Sequence, residues 1–231
     1  MLGIIGAMDE EVNQLKAKMS DVTVTKKACM EFNCGILEGK NVVVVRSGIG
    51  KVNAALCAQI LKDDYDVTAI VNTGIAGSLN NEINIGDIVL STDALQHDVD
   101  ATSFGYDLGV IPRMETSIFK ADESLIDIAK KVCEQVNPEI HTFIGRVVSG
   151  DQFIADKTVK ERLVANFNPM CTEMEGAAIA QACYLNQIPF LIVRAISDKA
   201  DNSAELDYPT FEATAIKHTV RLMTAFVAAL K

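Results

Sequence analysis

Arg194 lies inside Pro189-Phe-Leu-Ile-Val-Arg-Ala-Ile-Ser-Asp198, an otherwise apolar run. A guanidinium there is costly to bury unless a carboxylate or a polar ligand meets it. Asp198 ends the same run, and strand alternation predicts it on the Arg194 side. A partly desolvated carboxyl at a strand exit can keep its proton near neutral pH, the state that a general acid needs. Two further acidic groups stand at starts of helical patterns: Glu173-Met174-Glu175 before Gly176-Ala-Ala-Ile-Ala, and Asp9-Glu10-Glu11 before Val12 and Leu15. The helix macrodipole favours acidic residues at such places. A cap, or an ion pair for Arg194, therefore accounts for any one of these groups alone. Their coincidence points to acid–base chemistry at one cavity.

The elements that must position these groups alternate between strand and helix patterns. Leu2 to Ile5 reads as a strand closed by Gly6-Ala7. A β-rich stretch runs from Val22 to Val45, with Gly39-Lys40-Asn41 as its hairpin turn. Gly48-Ile49-Gly50 leads to a helix over 52–61, and 69–72 reads as a buried strand ending at Gly74-Ile75-Ala76-Gly77. Strands are expected at 87–92, 144–148 and from 190, and helices at 123–136, 156–166, 175–185 and from about 210. Continuous β-branched runs between helices predict a mostly parallel sheet covered on both faces, a three-layer α/β/α arrangement around a mixed, twisted sheet. Ligands in such sheets bind beyond the carboxyl ends of the strands. Gly6-Ala7-Met8, Gly74 to Gly77, Ser149-Gly150-Asp151 and Ser197-Asp198 all sit at such exits.

The chain has 231 residues, a length that fits one domain over 1–231 better than two small ones. Size scaling gives about 10,000 Å² of folded surface and burial of about 70% of the unfolded surface, enough for a core without metal or disulfide staples. Twenty-one Lys and Arg face 31 Asp and Glu, a net charge of -10. That field repels polyanions, and no basic run exists to replace phosphate counterions, so a nucleic-acid partner is not expected. No apolar run approaches the roughly 18 residues of a membrane span. The acidic N-terminal segment does not read as a signal peptide, and the six cysteines, none in a Cys-x-x-Cys pair, read as reduced core thiols of a cytoplasmic protein.

Competing motifs fail on their residues. Gly48-Ile-Gly50-Lys51 lacks the first glycine and the final Ser or Thr of a phosphate loop, and Gly74-x-x-Gly77 is an incomplete dinucleotide fingerprint. His97-Asp98-x-Asp100 has no second ligand pair, so neither a metal nor another cofactor is expected. No Gly-x-Ser-x-Gly nucleophile elbow occurs.

The chain resembles the 5′-methylthioadenosine/S-adenosylhomocysteine nucleosidases of the purine nucleoside phosphorylase-like superfamily. The resemblance rests on Ile4-Ile-Gly-Ala-Met-Asp-Glu-Glu11, Ser47-Gly-Ile-Gly-Lys51, Asn72-Thr-Gly-Ile-Ala-Gly77, Ser149-Gly-Asp-Gln-Phe-Ile154, Glu173-Met-Glu-Gly176 and Val193-Arg-Ala-Ile-Ser-Asp198. It implies that Glu11 activates a water and that Asp198, oriented by Ser197, protonates purine N7. By the same resemblance Glu173, Met174, Glu175 and Arg194 belong to the substrate site, the last three holding the ribose. Phe153 would stack on adenine while the Ile154 backbone reads its edge, and Ile49 and Tyr208 would contact the 5′-alkylthio side. Ala101 and Phe104 look like residues contributed by a second subunit of a homodimer. The chain departs from the family at Ile75, where Ser is common and would add a polar contact. It departs again at Ala101, where a bulkier residue usually narrows the alkylthio pocket.

Hydrolysis, phosphorolysis, a futalosine-type substrate and non-catalytic nucleoside binding all fit this scaffold. Phosphorolysis needs fixed cations near C1′. The 74–77 segment carries no arginine, and Glu11 would repel phosphate while suiting water, leaving Arg46 as the residue that could reverse that reading. Binding alone requires neither an acid nor a base.

Overall fold

The structure is a computed structural model that describes residues 1–230, apart from the side chain of Leu206; Lys231, the end of the expected domain, lies outside the described residues. Its strands are β1 (Leu2–Gly6), β2 (Ser20–Lys27), β3 (Met30–Leu37), β4 (Lys40–Arg46) and β5 (Ala69–Ser78), followed by β6 (Ile88–Gln96), β7 (Phe119–Lys120), β8 (Thr142–Ser149), β9 (Cys171–Glu173) and β10 (Phe190–Asp198). The helices are α1 (Asp9–Lys16), α2 (Lys51–Tyr65), α3 (Glu123–Val136), α4 (Lys157–Phe167), α5 (Gly176–Asn186) and α6 (Ala204–Ala229).

The sheet is mixed, as expected. Strands β1 and β4, β1 and β5, and β5 and β10 pair in parallel, so their carboxyl ends lie at one edge. An open sheet would stop at β10. Here β10 also pairs antiparallel with β6, and the path β6–β8–β9 returns to β5, closing a ring. The antiparallel β2–β3–β4 extension leaves β2 exposed along its whole length. Helices α2 and α5 pack together on one face, and α1, α3 and α6 on the other. The parallel strands are buried on both sides: β1, Val42 to Val45 of β4, and β10 are buried at every position. That two-sided burial is why these runs are continuously apolar rather than alternating. One apolar cluster extends from Leu2 to Val227.

Several boundaries differ from the sequence expectation. The β3–β4 turn is Glu38-Gly39, with φ of 50° and 76°, and Lys40 and Asn41 already belong to β4. The Gly74–Gly77 segment is not a loop after the strand but its continuation to Ser78. Helix α6 starts at Ala204 and carries Pro209 within it. Strands β7 and β9 were not legible, because two or three residues present no periodicity. All six cysteines are free and four are buried, but Cys29 is exposed in the β2–β3 turn and is not a core thiol.

Candidate active site

The carboxyl ends of β1, β5, β9 and β10 enclose a cavity of about 370 Å³ whose lining includes Glu11, Glu173, Glu175 and Asp198. Glu11 sits in the first turn of α1. Its Oε2 accepts the Ala7 N–H at 2.6 Å and the Met8 N–H at 3.0 Å, and Oε1 accepts the Ile75 N–H at 3.1 Å. A carboxylate offers about four acceptor positions, so one remains for a ligand or water. Burial raises the Glu11 pKa above the usual carboxylate value, against the lowering effect of Arg194 and these amides.

Asp198 closes β10. Its Oδ2 accepts the Ser197 hydroxyl at 2.8 Å and its Oδ1 the Ala200 N–H at 2.8 Å. Burial lifts its pKa as well, with Asp207 and Asp201 adding to the rise and the two hydrogen bonds opposing it. Simple alternation does not aim this residue. The β5–β10 register shifts between Ile196 and Asp198, and both Ser197 and Asp198 line the cavity.

Arg194 is fully buried and is not among the residues lining the cavity, so it stands behind the wall where the resemblance implied a ribose contact. One amino group donates to Asn72 Oδ1 and Glu173 Oε2, with Glu175 Oε2 at 4.0 Å. Glu173 is saturated. It accepts from Ser149 Oγ, Arg194 and the N–H groups of Glu175 (3.2 Å) and Gly176 (2.7 Å), the last two at the start of α5. Glu173 therefore holds Arg194 and the α5 terminus, and leaves Glu175 as the freer carboxylate. Glu175 accepts one N–H, from Gly50 at 2.8 Å. Burial and then the Glu173 charge push its pKa up to about 7, against the pull of Arg194.

Of the other expected residues, Ile49, Ile75, Phe153, Met174 and Tyr208 line the cavity. Ile75 contributes its N–H to Glu11, so the Ile side chain leaves that contact intact. Ile154 is buried in a small apolar cluster with Leu163 and Phe167, its side chain outside the lining. Ala101 and Phe104 stand apart from this cavity, at a short 3₁₀ turn over Thr102–Phe104, with Phe104 83% exposed. Arg46 is exposed and pairs with Asp9 at 3.3 Å, so it is not a cavity cation. Asp98, from the rejected metal motif, accepts Lys51 Nζ at 2.6 Å.

The match to known proteins agrees with this geometry over the whole chain. Residues 1–228 match the phosphorylase superfamily model. A 5′-methylthioadenosine/S-adenosylhomocysteine nucleosidase of Halalkalibacterium halodurans is 44% identical over 230 residues, covering 99% of this chain and 98% of that one. This chain belongs to that nucleosidase family. The Neisseria meningitidis nucleosidase in complex with methylthio-immucillin-A superposes on it with a TM-score of 0.95 at 34% identity, covering 99% of each chain. Futalosine hydrolase of Helicobacter pylori superposes with a TM-score of 0.94 at 32% identity, covering 99% of this chain and 97% of that one.

The nucleosidase site also contains residues that sequence reasoning missed. Asn72 clamps Arg194 and donates to the Ile5 carbonyl at 3.0 Å, and Ser149 bridges Glu173 to the Ala177 N–H. Asn72 was visible as the one amide in a buried strand; the role of Ser149 was not, because β9 brings Glu173 alongside it. Glycine permits the close approach at Gly74, where a Cβ would overlap both the Arg194 guanidinium and the Glu11 carboxylate.

Gly74→Ala is therefore expected to destabilise the nucleosidase by about 1–3 kcal/mol, the usual cost of overpacking, as read by thermal or urea denaturation; an unchanged midpoint would contradict the contact. A second expectation concerns pH. Glu175 has a raised pKa in the folded state, so its contribution to stability is present below the unfolded value of 4.5 and is lost as pH rises through about 7. Glu175→Gln keeps an acceptor for Gly50 and is expected to stabilise the ligand-free protein at pH 8 but not at pH 4. The gain is on the order of 1–3 kcal/mol, at about 1.4 kcal/mol per pKa unit, and melting curves at the two pH values would reveal it.

Proposed function

We propose that this nucleosidase hydrolyses the C1′–N9 bond of 5′-methylthioadenosine and S-adenosylhomocysteine, and of 5′-deoxyadenosine, releasing adenine and the 5-substituted ribose. The reaction belongs to methionine salvage and the activated methyl cycle. The observation that carries this reading is that Glu11 and Asp198, both with raised pKa values, face one cavity that, among the described residues, no Lys, Arg or His lines.

As the C1′–N9 bond breaks, positive charge grows on the ribose and negative charge on the departing base. Asp198 gives its proton to purine N7 and removes the second burden, as a carboxylic acid kept neutral by its surroundings can do. The Ser197 hydroxyl and Ala200 N–H fix the carboxyl plane from the protein side. Glu11 uses its remaining acceptor position to take a proton from water, whose oxygen then bonds to C1′. Three backbone donors hold that carboxylate still while Arg194 keeps it ionisable. Glu175 and Met174 hold the ribose, Glu175 through its hydroxyls. Phe153 stacks on adenine, the Ile154 backbone reads the base edge, and Ile49 and Tyr208 meet the 5′ group. No cofactor enters this scheme, which parallels inverting glycosidases in using two carboxyl groups and a water.

Phosphorolysis is disfavoured by the same electrostatics, since phosphate would enter a cavity lined by four carboxyl groups while Arg46 is engaged by Asp9. A futalosine-type nucleoside is the second reading, favoured by the likeness to futalosine hydrolase.

We further propose one nucleosidase domain acting as a cytoplasmic homodimer in which Ala101 and Phe104 enter the neighbouring site. Exposed Phe104 supports this, as do Val52, Leu56 and Leu185, exposed apolar residues beside a surface hollow between α2 and α5. Among the described residues no helix is long and apolar enough to cross a membrane.

Asp198→Asn and Glu11→Gln are each expected to lower adenine release by about 10²–10⁴-fold while nucleoside binding, followed by calorimetry, persists. Retention of more than a tenth of the activity would overturn the assigned acid or base. Turnover is expected to be independent of added phosphate, with free ribose product; ribose-1-phosphate would establish phosphorolysis. Phe104→Ala is expected to raise KM by roughly tenfold, on the scale of one apolar contact, without altering the sedimenting mass of a dimer. A monomeric wild type would remove the shared-site proposal.

A further inference from the structure

Ile49 and Tyr208 line the cavity at what the proposed function makes the 5′ end of the substrate, and Met8 lines it beside Tyr208. Tyr208 stands on α6 and donates its hydroxyl to Glu212 Oε1, one turn further along, at 3.0 Å. Its oxygen lies 3.4 Å from Met8 Sδ, and its ring meets Phe153 edge-on with centroids 5.9 Å apart. Burial, followed by the charge of Glu212, raises the tyrosine pKa and keeps the proton on the oxygen.

These contacts give the 5′ end a definite polarity. A phenol has one proton to donate, and here a carboxylate takes it. The hydroxyl can then offer only lone pairs to a ligand, and the neighbouring Met8 sulfur is likewise an acceptor. The cavity lining supplies no compensating cation. A 5′ substituent in this position meets acceptors and a fixed negative charge. An alkylthio chain loses nothing there, a terminal ammonium gains, and a terminal carboxylate finds no side-chain donor among Met8, Ile49 and Tyr208 and meets a like charge.

We propose that Glu212, acting through Tyr208, is a specificity-determining residue that makes the enzyme prefer 5′-thioether nucleosides with neutral or ammonium-bearing substituents over those whose terminal charge is a carboxylate alone; the homocysteine end of S-adenosylhomocysteine, with both charges, falls between the two. This rests on the proposed nucleosidase reading. Glu212 is a positioning residue, half-buried behind the tyrosine and absent from the cavity lining.

Three adenosine analogues of matched length test it: 5′-propylthio, 5′-(2-aminoethyl)thio and 5′-(2-carboxyethyl)thio. In the wild type the kcat/KM ratio of the amino to the carboxy compound is expected to be roughly tenfold or more, from like-charge exclusion in a partly desolvated site. The difference should reside in KM, because the charge is remote from the bond that breaks. Glu212→Gln, nearly isosteric, is expected to bring the ratio towards one by moving the two charged compounds in opposite directions. Glu212→Asp should retain part of it. A merely structural role would move all three compounds together, and that outcome overturns the proposal, as does a wild-type ratio near one. If the wild type releases no adenine even from the propyl compound, the nucleosidase reading itself fails. The ratio of Kd values for the two charged compounds then decides the charge preference separately.

Discussion

One buried guanidinium facing three carboxylates sets the character of this protein. Arg194 is paired to Glu173, stands 4.0 Å from Glu175 and acts on Glu11, while all four side chains are largely removed from solvent. One positive charge cannot neutralise three negative ones, and burial penalises every uncompensated charge. The imbalance is distributed by hydrogen bonding. Glu173 takes the guanidinium, a hydroxyl and two N–H groups, Glu11 takes three N–H groups, and Glu175, with a single N–H donor, is pushed up to about 7. The least satisfied carboxylate is the one with acceptor positions left for a ligand.

Asp198 lies outside that cluster and is governed by a different balance. No cation is among the principal influences on it, and burial together with Asp201 and Asp207 favours its protonated form. Burial raises the Glu11 pKa as well, while Arg194 and fixed amides pull the other way. The two carboxyl groups of the one cavity thus share the rise from burial, but a cation and three amides oppose it at Glu11 whereas two further carboxylates add to it at Asp198. Among the described residues no Lys, Arg or His lines the cavity, an electrostatic setting that works against a phosphate anion.

The sheet makes these approaches possible. Parallel pairing brings the ends of β1, β5 and β10 to one edge, and closure through β6 and β8 brings β9 against β5, where Thr172 and Glu173 join the cavity wall. Strand β5 passes directly beneath the charged groups, and its Gly74 and Gly77 leave space that a Cβ would take from Arg194 and Glu11, or from Asp198. Rigidity here comes from backbone donors rather than from long side chains. That arrangement holds the Glu11 and Asp198 carboxyl groups in place with little reorganisation.

Much of this was legible in the residues alone. An arginine in an apolar strand demands carboxylates, acidic residues at helix starts mark strand exits, and the order of the six motifs identifies the family. Those inferences depend on local chemistry and on chain order, which tertiary structure cannot alter. Other features arose only in three dimensions. Glu173 and Glu175 look equivalent in sequence, but the pairing of β9 with β8 gives Glu173 to Ser149 and leaves Glu175 facing the cavity. Alternation along β10 suggested the direction of Asp198, whereas a register shift aims it. The Tyr208–Glu212 contact became relevant only when α6 placed Tyr208 beside Met8, 200 positions away. Chemical type belongs to the residue. Which acceptor stays unsatisfied, and what it faces, depends on distances between segments remote in the chain, and those are set by packing.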